Sequence, residues 1–195
     1  SFGGLIIRNI NIADPWQIAF YRGLAFIFSI TLILFFQYRL EIVTNIIKIG
    51  FAGIAGGFLL MLANLLFIHA LTNTSVANAL FTLSMIPFIS AILAFIFLNE
   101  AIPSRTIIFI IIALMGIFLM IKEGLESGGF YGNILALICA ISFSGFVVVL
   151  RKFKNINMLP ANMVAGILVV LISFVATRGN ITIPTQEILL CFLWG

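Results

Sequence analysis

The sequence predicts an all-α, polytopic membrane helical bundle, and three observations carry that expectation. Apolar residues make up 63% of the chain and charged residues only 8%, whereas a soluble domain needs roughly 25% charged residues to cover its surface. The apolar residues form long unalternating runs such as Ile107-Ile108-Phe109-Ile110-Ile111-Ile112, and a transmembrane β-barrel strand would alternate. Charged or turn-forming breaks divide these runs at intervals near the ~20 residues that a helix needs to cross hydrocarbon. Lipid offers no partner to a backbone amide, so spans that are not barrel strands must be helices.

The spans follow in order. Residues 1–7 read as the end of an incomplete first span, closed by Arg8. They are too short and wrongly flanked for a signal peptide. Asp14-Pro15 opens a second span to about Phe36, with proline in the first turn where its missing N–H costs nothing. No Asp, Glu, Lys or Arg occurs between Lys48 and Glu100. As one helix that stretch would be roughly 75 Å long, more than twice the hydrocarbon thickness. It must fold back, and Thr72-Asn73-Thr74-Ser75 is the polar break. A third span over 49–70 and a fourth over 76–98 result. Pro103 sits in the turn before a fifth span, 106–122, and a Gly/Ser/Glu loop over 123–132 follows. The sixth span, 132–150, ends at Arg151-Lys152-Phe153-Lys154. A seventh covers 160–177, and an eighth begins near Glu187. The sequence starts and stops inside apolar runs, so it reads as a fragment truncated at both ends.

Charge sets the orientation. The net charge of +4 is spread between apolar runs, which fits membrane topology and not nucleic-acid binding. The turns after the second, fourth and sixth spans hold Arg39, Lys48, Arg105, Arg151, Lys152 and Lys154; the other turns hold Arg8, Lys122 and Arg178. Basic residues favour the cytoplasm, so the first set is expected inside. Cys139 and Cys191 lie in apolar runs and read as small buried hydrophobes.

The chain also resembles itself. Ser1-Phe2-Gly3-Gly4 and Ser142-Phe143-Ser144-Gly145 each precede an aliphatic run and an arginine, Arg8 and Arg151. Each arginine stands fifteen residues before a glycine, Gly23 and Gly166. Five spans lie within this offset of 141 to 143 residues, and an odd number places the second copy upside down. Inverted repeats are a recurring design of secondary transporters, with the site near the bilayer midplane. The expected architecture is a ten-helix, 5+5 inverted-repeat fold: residues 1–122 the first repeat, 123–195 the start of the second.

Two segments then resemble a known family. Ala13-Asp14-Pro15-Trp16-Gln17-Ile18-Ala19-Phe20-Tyr21-Arg22-Gly23 resembles the start of the second helix in EamA-type members of the drug/metabolite transporter superfamily. The segment from Ala70 to Leu80, followed by Pro87 and by Phe97-Leu98-Asn99-Glu100, resembles that family's third-to-fourth helix junction and fourth helix. Asn99 departs from the pattern, where glycine is expected. The resemblance implies ten helices with both termini cytoplasmic, and export of amino acids, other metabolites or drugs.

Several residues are candidates for function. Arg22 lies near 10 Å into its span, and charges at that depth are costly and usually functional or paired. It can hold a substrate carboxylate or a gating ion pair, or it can snorkel to the headgroups; it matches the family's arginine. Asn64, Asn78, Thr82 and Ser142 are the other expected cavity residues, interhelical hydrogen bonding being the alternative. Pro87 is expected to kink the fourth span as a hinge. Gly53 and Gly57 form a GxxxG expected to pack helices closely, with a homodimer contact as the alternative. Trp16 is expected at the interface, and Glu100 is expected to take an interfacial partner, with Arg105 the nearest. His69 is alone, so no metal or other cofactor is expected.

The functional expectation is a secondary transporter exporting amino acids, metabolites or drug-like small molecules by alternating access, in the bacterial cytoplasmic membrane. Its partners are the bilayer and a small-molecule substrate. Nucleotide-sugar or other metabolite uptake or exchange by the same fold is the alternative. An intramembrane enzyme is the competing class, and the sequence lacks its constellations: no aspartate lies within a span, and Ser144-Gly145 lacks the glycine of a nucleophile motif.

Overall fold

The computed structural model describes residues 13–38, 49–127 and 129–194, with the side chains of 37–38 and 117–127 left aside. The short first span, Arg8, Arg39 and Lys48 lie outside these residues. Among the described residues eight helices follow one another: α1 (Pro15–Tyr38), α2 (Gly50–Asn73), α3 (Val76–Leu83), α4 (Ile86–Leu98), α5 (Ser104–Ser127), α6 (Phe130–Lys152), α7 (Leu159–Ala176) and α8 (Thr185–Trp194). Among the described residues five stretches are long and apolar enough to cross a membrane: α1, α2, the α3–α4 pair, α6 and α7.

Local chemistry sets the ends. The backbone N–H of Asp14 donates to Gln17 Oε1 at 3.0 Å, a capping-box arrangement three residues apart. Ser75 caps α3 by accepting from the Asn78 N–H at 3.1 Å, which makes the expected polar break a helix start. Asn99 ends α4 in the left-handed region, φ +56°. That conformation explains the departure from the family pattern: glycine is the usual occupant, and asparagine is the side chain that best tolerates it.

The structure corrects two elements. The fourth span is not one kinked helix. It breaks at Ser84 and Met85, and Pro87 falls in the first turn of α4. Proline has no N–H for the Leu83 carbonyl, so the ladder stops one turn before it. From α6, the buried Ser144 hydroxyl donates to the Ile86 carbonyl at 3.1 Å and braces the break. The fifth helix runs on to Ser127, because Lys122, Glu123, Leu125 and Glu126 are good helix formers.

Small residues let the helices approach. A Cβ on Gly23 of α1 would stand 2.9 Å from Val170 Cγ2 and 3.1 Å from Val169 Cγ1 of α7. A Cβ on Gly166 of α7 would stand 2.7 Å from Ile27 Cγ1 and 3.4 Å from Phe26 Cδ1 of α1. Each glycine thus receives the side chains three and four positions beyond the other. Such reciprocity requires antiparallel helices crossing about a local two-fold axis. Gly57 of α2 admits Val164 and the Ala161 carbonyl of α7 in the same way. At Gly53, which is buried, the three atoms nearest to an added Cβ all belong to Ile49, at the N-cap of the same helix.

The two ends of the bundle differ. At one end the Gln17 amide donates to the Asn180 carbonyl at 3.0 Å and the Tyr21 hydroxyl to the Ile181 carbonyl at 2.8 Å. Together they pin the α7–α8 turn to the start of α1. At the same end Gly132 abuts the Asn73–Thr74 backbone, and the Thr74 hydroxyl donates to Asn133 Oδ1 at 2.8 Å. At the other end Glu100 faces Arg151 at 3.7 Å, across from α4 to α6. The expected pairing with Arg105 is not the one formed. Both side chains are about half exposed, so the pair contributes little to stability.

Candidate functional site

Helix spacing collects the site. Ala19, Arg22, Gly23 and Phe26 repeat at three- and four-residue steps along α1, and one helix face carries all four. They border a small recess, closed by Asn64 and Ile68 of α2 and by Gly166 and Val169 of α7. On the other side of Arg22 opens a cavity of about 200 Å³. Ala63, Asn64 and Phe67 of α2, Leu83 and Ile86 at the α3–α4 break, and Cys139 and Phe143 of α6 line it. Arg22 and Asn64 belong to both spaces.

Arg22 is held by rings. Its guanidinium carbon lies 4.4 Å from the Trp194 ring centroid and 5.7 Å from that of Phe67, both within cation–π range. The two rings are 6.0 Å apart. Arg22 Nη1 is buried and, among the described residues, donates to nothing. Among the described residues no carboxylate stands within ion-pair distance of it. A charged donor buried without an acceptor costs more than the ~1–3 kcal/mol of a neutral one, and such groups inside membrane proteins mark functional sites.

The surroundings are arranged with few spare groups. Asn64 spends one amide N–H on the Leu60 carbonyl at 3.0 Å. The Cys139 thiol donates to the Ala63 carbonyl at 3.2 Å, fastening α6 to α2 behind the cavity. His69 is turned away from the site: its Nδ1 lies 2.9 Å from the Leu65 carbonyl, and its ring meets Trp16 edge-on at 4.4 Å. Trp16 packs on the core beside Ile18 and Ile68.

Of the five expected cavity residues, the structure brings Arg22 and Asn64 together. Thr82 is buried, with its hydroxyl on the Asn78 carbonyl at 2.9 Å, and neither Thr82 nor Asn78 is among the residues lining the cavity. Ser142 donates to its own helix at Ile138 and borders a different, apolar groove of about 480 Å³ with Leu59, Leu93, Phe97 and Gly145. Pro87 adjoins the cavity only through its neighbour Ile86. The lining residues Ala63, Phe67, Leu83, Ile86, Cys139 and Phe143, and the Trp194 ring on Arg22, were not foreseen. One signal was available, since Phe67 and Asn64 are three residues apart on a helix.

Over residues 2–122 the chain matches the model of the EamA-like transporter family. The chain belongs to that family. No curated protein and no solved structure matches it. EamA proteins form part of the drug/metabolite transporter superfamily. Membership makes this a multi-pass membrane protein of small-molecule transport, and its family's members are transporters, not enzymes. The EamA match contains Arg22, Asn64 and Phe67, while Cys139, Phe143 and Trp194 lie beyond it.

Proposed function

We propose that this EamA protein is a secondary transporter that exports amino acids or other small metabolites carrying a carboxylate. Arg22 carries the reading: a buried guanidinium with an unpartnered Nη1, beside Asn64, on a cavity within the spans. A carboxylate supplies the acceptor that Nη1 lacks, and arginine–carboxylate pairs are among the strongest of protein hydrogen bonds. Export comes with the family resemblance, alternating access with the inverted-repeat reading, and the bacterial cytoplasmic membrane is part of the same proposal. The reciprocal packing of Gly23 and Gly166 supports an inverted repeat, with residues 1–122 as one copy and 123–195 opening the next. In that reading the α1–α7 crossing is the contact between equivalent helices.

Proteoliposomes holding the full-length protein test this with a panel of labelled amino acids. The expected result is gradient-sensitive flux of at least one, cut about tenfold or more in Arg22→Gln, as loss of a charged hydrogen bond implies. Flux that Arg22→Gln leaves intact refutes the role of Arg22. Absence of flux across the panel refutes the substrate class.

A further inference from the structure

We infer that Trp194 is the positioning residue of the Arg22 site: its indole face fixes the guanidinium plane so that the Nη1 edge is offered to a planar carboxylate in the cavity beside Asn64. The inference deepens the transport reading and rests on it for the identity of the ligand.

A buried arginine is ordinarily held by a carboxylate, which takes two of its N–H groups in a fork. An acidic holder here would occupy the very donors that a ligand needs. A ring does not. It meets the face of the guanidinium through its π-system and leaves the N–H edge free. An aromatic holder is thus the chemistry that keeps an arginine both desolvated and available. Among the described residues two rings perform it, and they are unequal. Trp194 stands at 4.4 Å and Phe67 at 5.7 Å, the latter near the outer limit of ~6 Å for the interaction. Indole also has the most strongly attracting face of the aromatic side chains.

Trp194 is itself fixed. It packs against two core clusters, one around Ile18, Ala19 and Leu65, the other around Ala70, Ala79 and Ala136. Its helix is docked on α1 at two further points. Cys191 is fully buried in the first cluster, and the buried Glu187 carboxylate accepts the Ala13 N–H at 3.0 Å. A side chain with the rotamer freedom of arginine gains its direction from this rigid support. Freed from it, the guanidinium loses its aim but not its charge.

Two measurements on the full-length protein test the proposal. In nanodiscs, with every other tryptophan changed to phenylalanine, Trp194 fluorescence is followed during a sodium acetate titration against sodium chloride. A saturable, acetate-specific change is expected, and Arg22→Gln abolishes it. No acetate response, or one that survives Arg22→Gln, overturns the proposal. In proteoliposomes, Trp194→Leu raises the half-saturation of amino-acid flux between about two- and thirtyfold, the span of a cation–π contact, with the maximal rate retained. Trp194→Phe and Trp194→Tyr restore it, which a mere loss of fold would not allow. Equal half-saturation in wild type and Trp194→Leu, alongside a rise in Arg22→Gln, overturns the proposal while leaving the transport reading standing. An Arg22-dependent acetate response without amino-acid flux does the reverse.

Discussion

The crossing of α1 and α7 makes a quantitative demand on Gly23 and Gly166. Alanine at either position adds one methyl, which meets Val170 Cγ2 at 2.9 Å or Ile27 Cγ1 at 2.7 Å. Carbon atoms prefer separations of at least ~3.5 Å, so the opposing helix must retreat by about 0.6–0.8 Å. The contacted atoms are the branches of β-branched side chains, which cannot rotate away cheaply. Overpacking of this kind costs about 1–3 kcal/mol per site. Because the contacts are reciprocal about one axis, a single separation of the helices makes room for both methyls. The double variant should therefore cost less than the two singles together, by about 1 kcal/mol. Thermal unfolding of the full-length protein in mild detergent, for wild type, Gly23→Ala, Gly166→Ala and the pair, reads this. Gly145→Ala is the control, since its nearest neighbour is the flexible Leu59 at 3.3 Å. Full additivity, or neutrality of either single change, would refute the reciprocal packing.

Three further outcomes follow. Gly132→Ala places a methyl 2.5–2.6 Å from the Asn73 and Thr74 backbone, which has no rotamer to yield; it should lower the melting temperature more than Gly56→Ala, whose methyl meets the Phe146 ring at an ordinary 3.4 Å. Ser144→Ala removes the brace on the Ile86 carbonyl and should cost about 0.6–1.7 kcal/mol, with faster amide exchange at Ile86, Phe88 and Ile89 than elsewhere in α4, measured by hydrogen–deuterium exchange. Glu100→Gln should change stability by less than about 1 kcal/mol, because both partners are half exposed, and high salt should erase even that difference.

The sequence made the spans legible because lipid leaves so few options. Sixteen charges in 195 residues and a long uncharged stretch that cannot cross as one helix are enough to place α1, α2, α6 and α7 within a few residues. Ser75 was legible as a boundary because a small polar residue after a polar run is a cap. Pro87 was legible as a disturbance, but its effect falls at Ser84 and Met85, one turn earlier, since the group it deprives is the carbonyl four residues back. In the site, Arg22 and Asn64 were visible because polar groups stand out in apolar spans. Trp194 and Phe67 were not, for the complementary reason: in a sequence where one residue in eight is aromatic, a ring against an arginine looks like a ring against lipid. Ser142 misled because a serine inside a helix can satisfy itself on its own backbone, as it does with Ile138. The offset of 143 residues between Gly23 and Gly166 was read from spacing; which side chains each glycine admits needed coordinates.

The aromatic clasp on Arg22 also has a cost in time. Trp194 is made 172 residues after Arg22, which at ~5–20 residues per second is about 10–35 s of synthesis. During that interval the nearer of the two rings that hold the Arg22 guanidinium does not yet exist. An arginine at the centre of an inserting helix costs roughly 2.5–3.5 kcal/mol, an upper bound for Arg22 in the first third of α1, and a long apolar stretch after Gly23 offsets it. The nascent chain must therefore shelter Arg22 against the headgroups or the insertion machinery until α8 arrives. On this arithmetic the apolar length of α1 serves insertion as well as the finished fold.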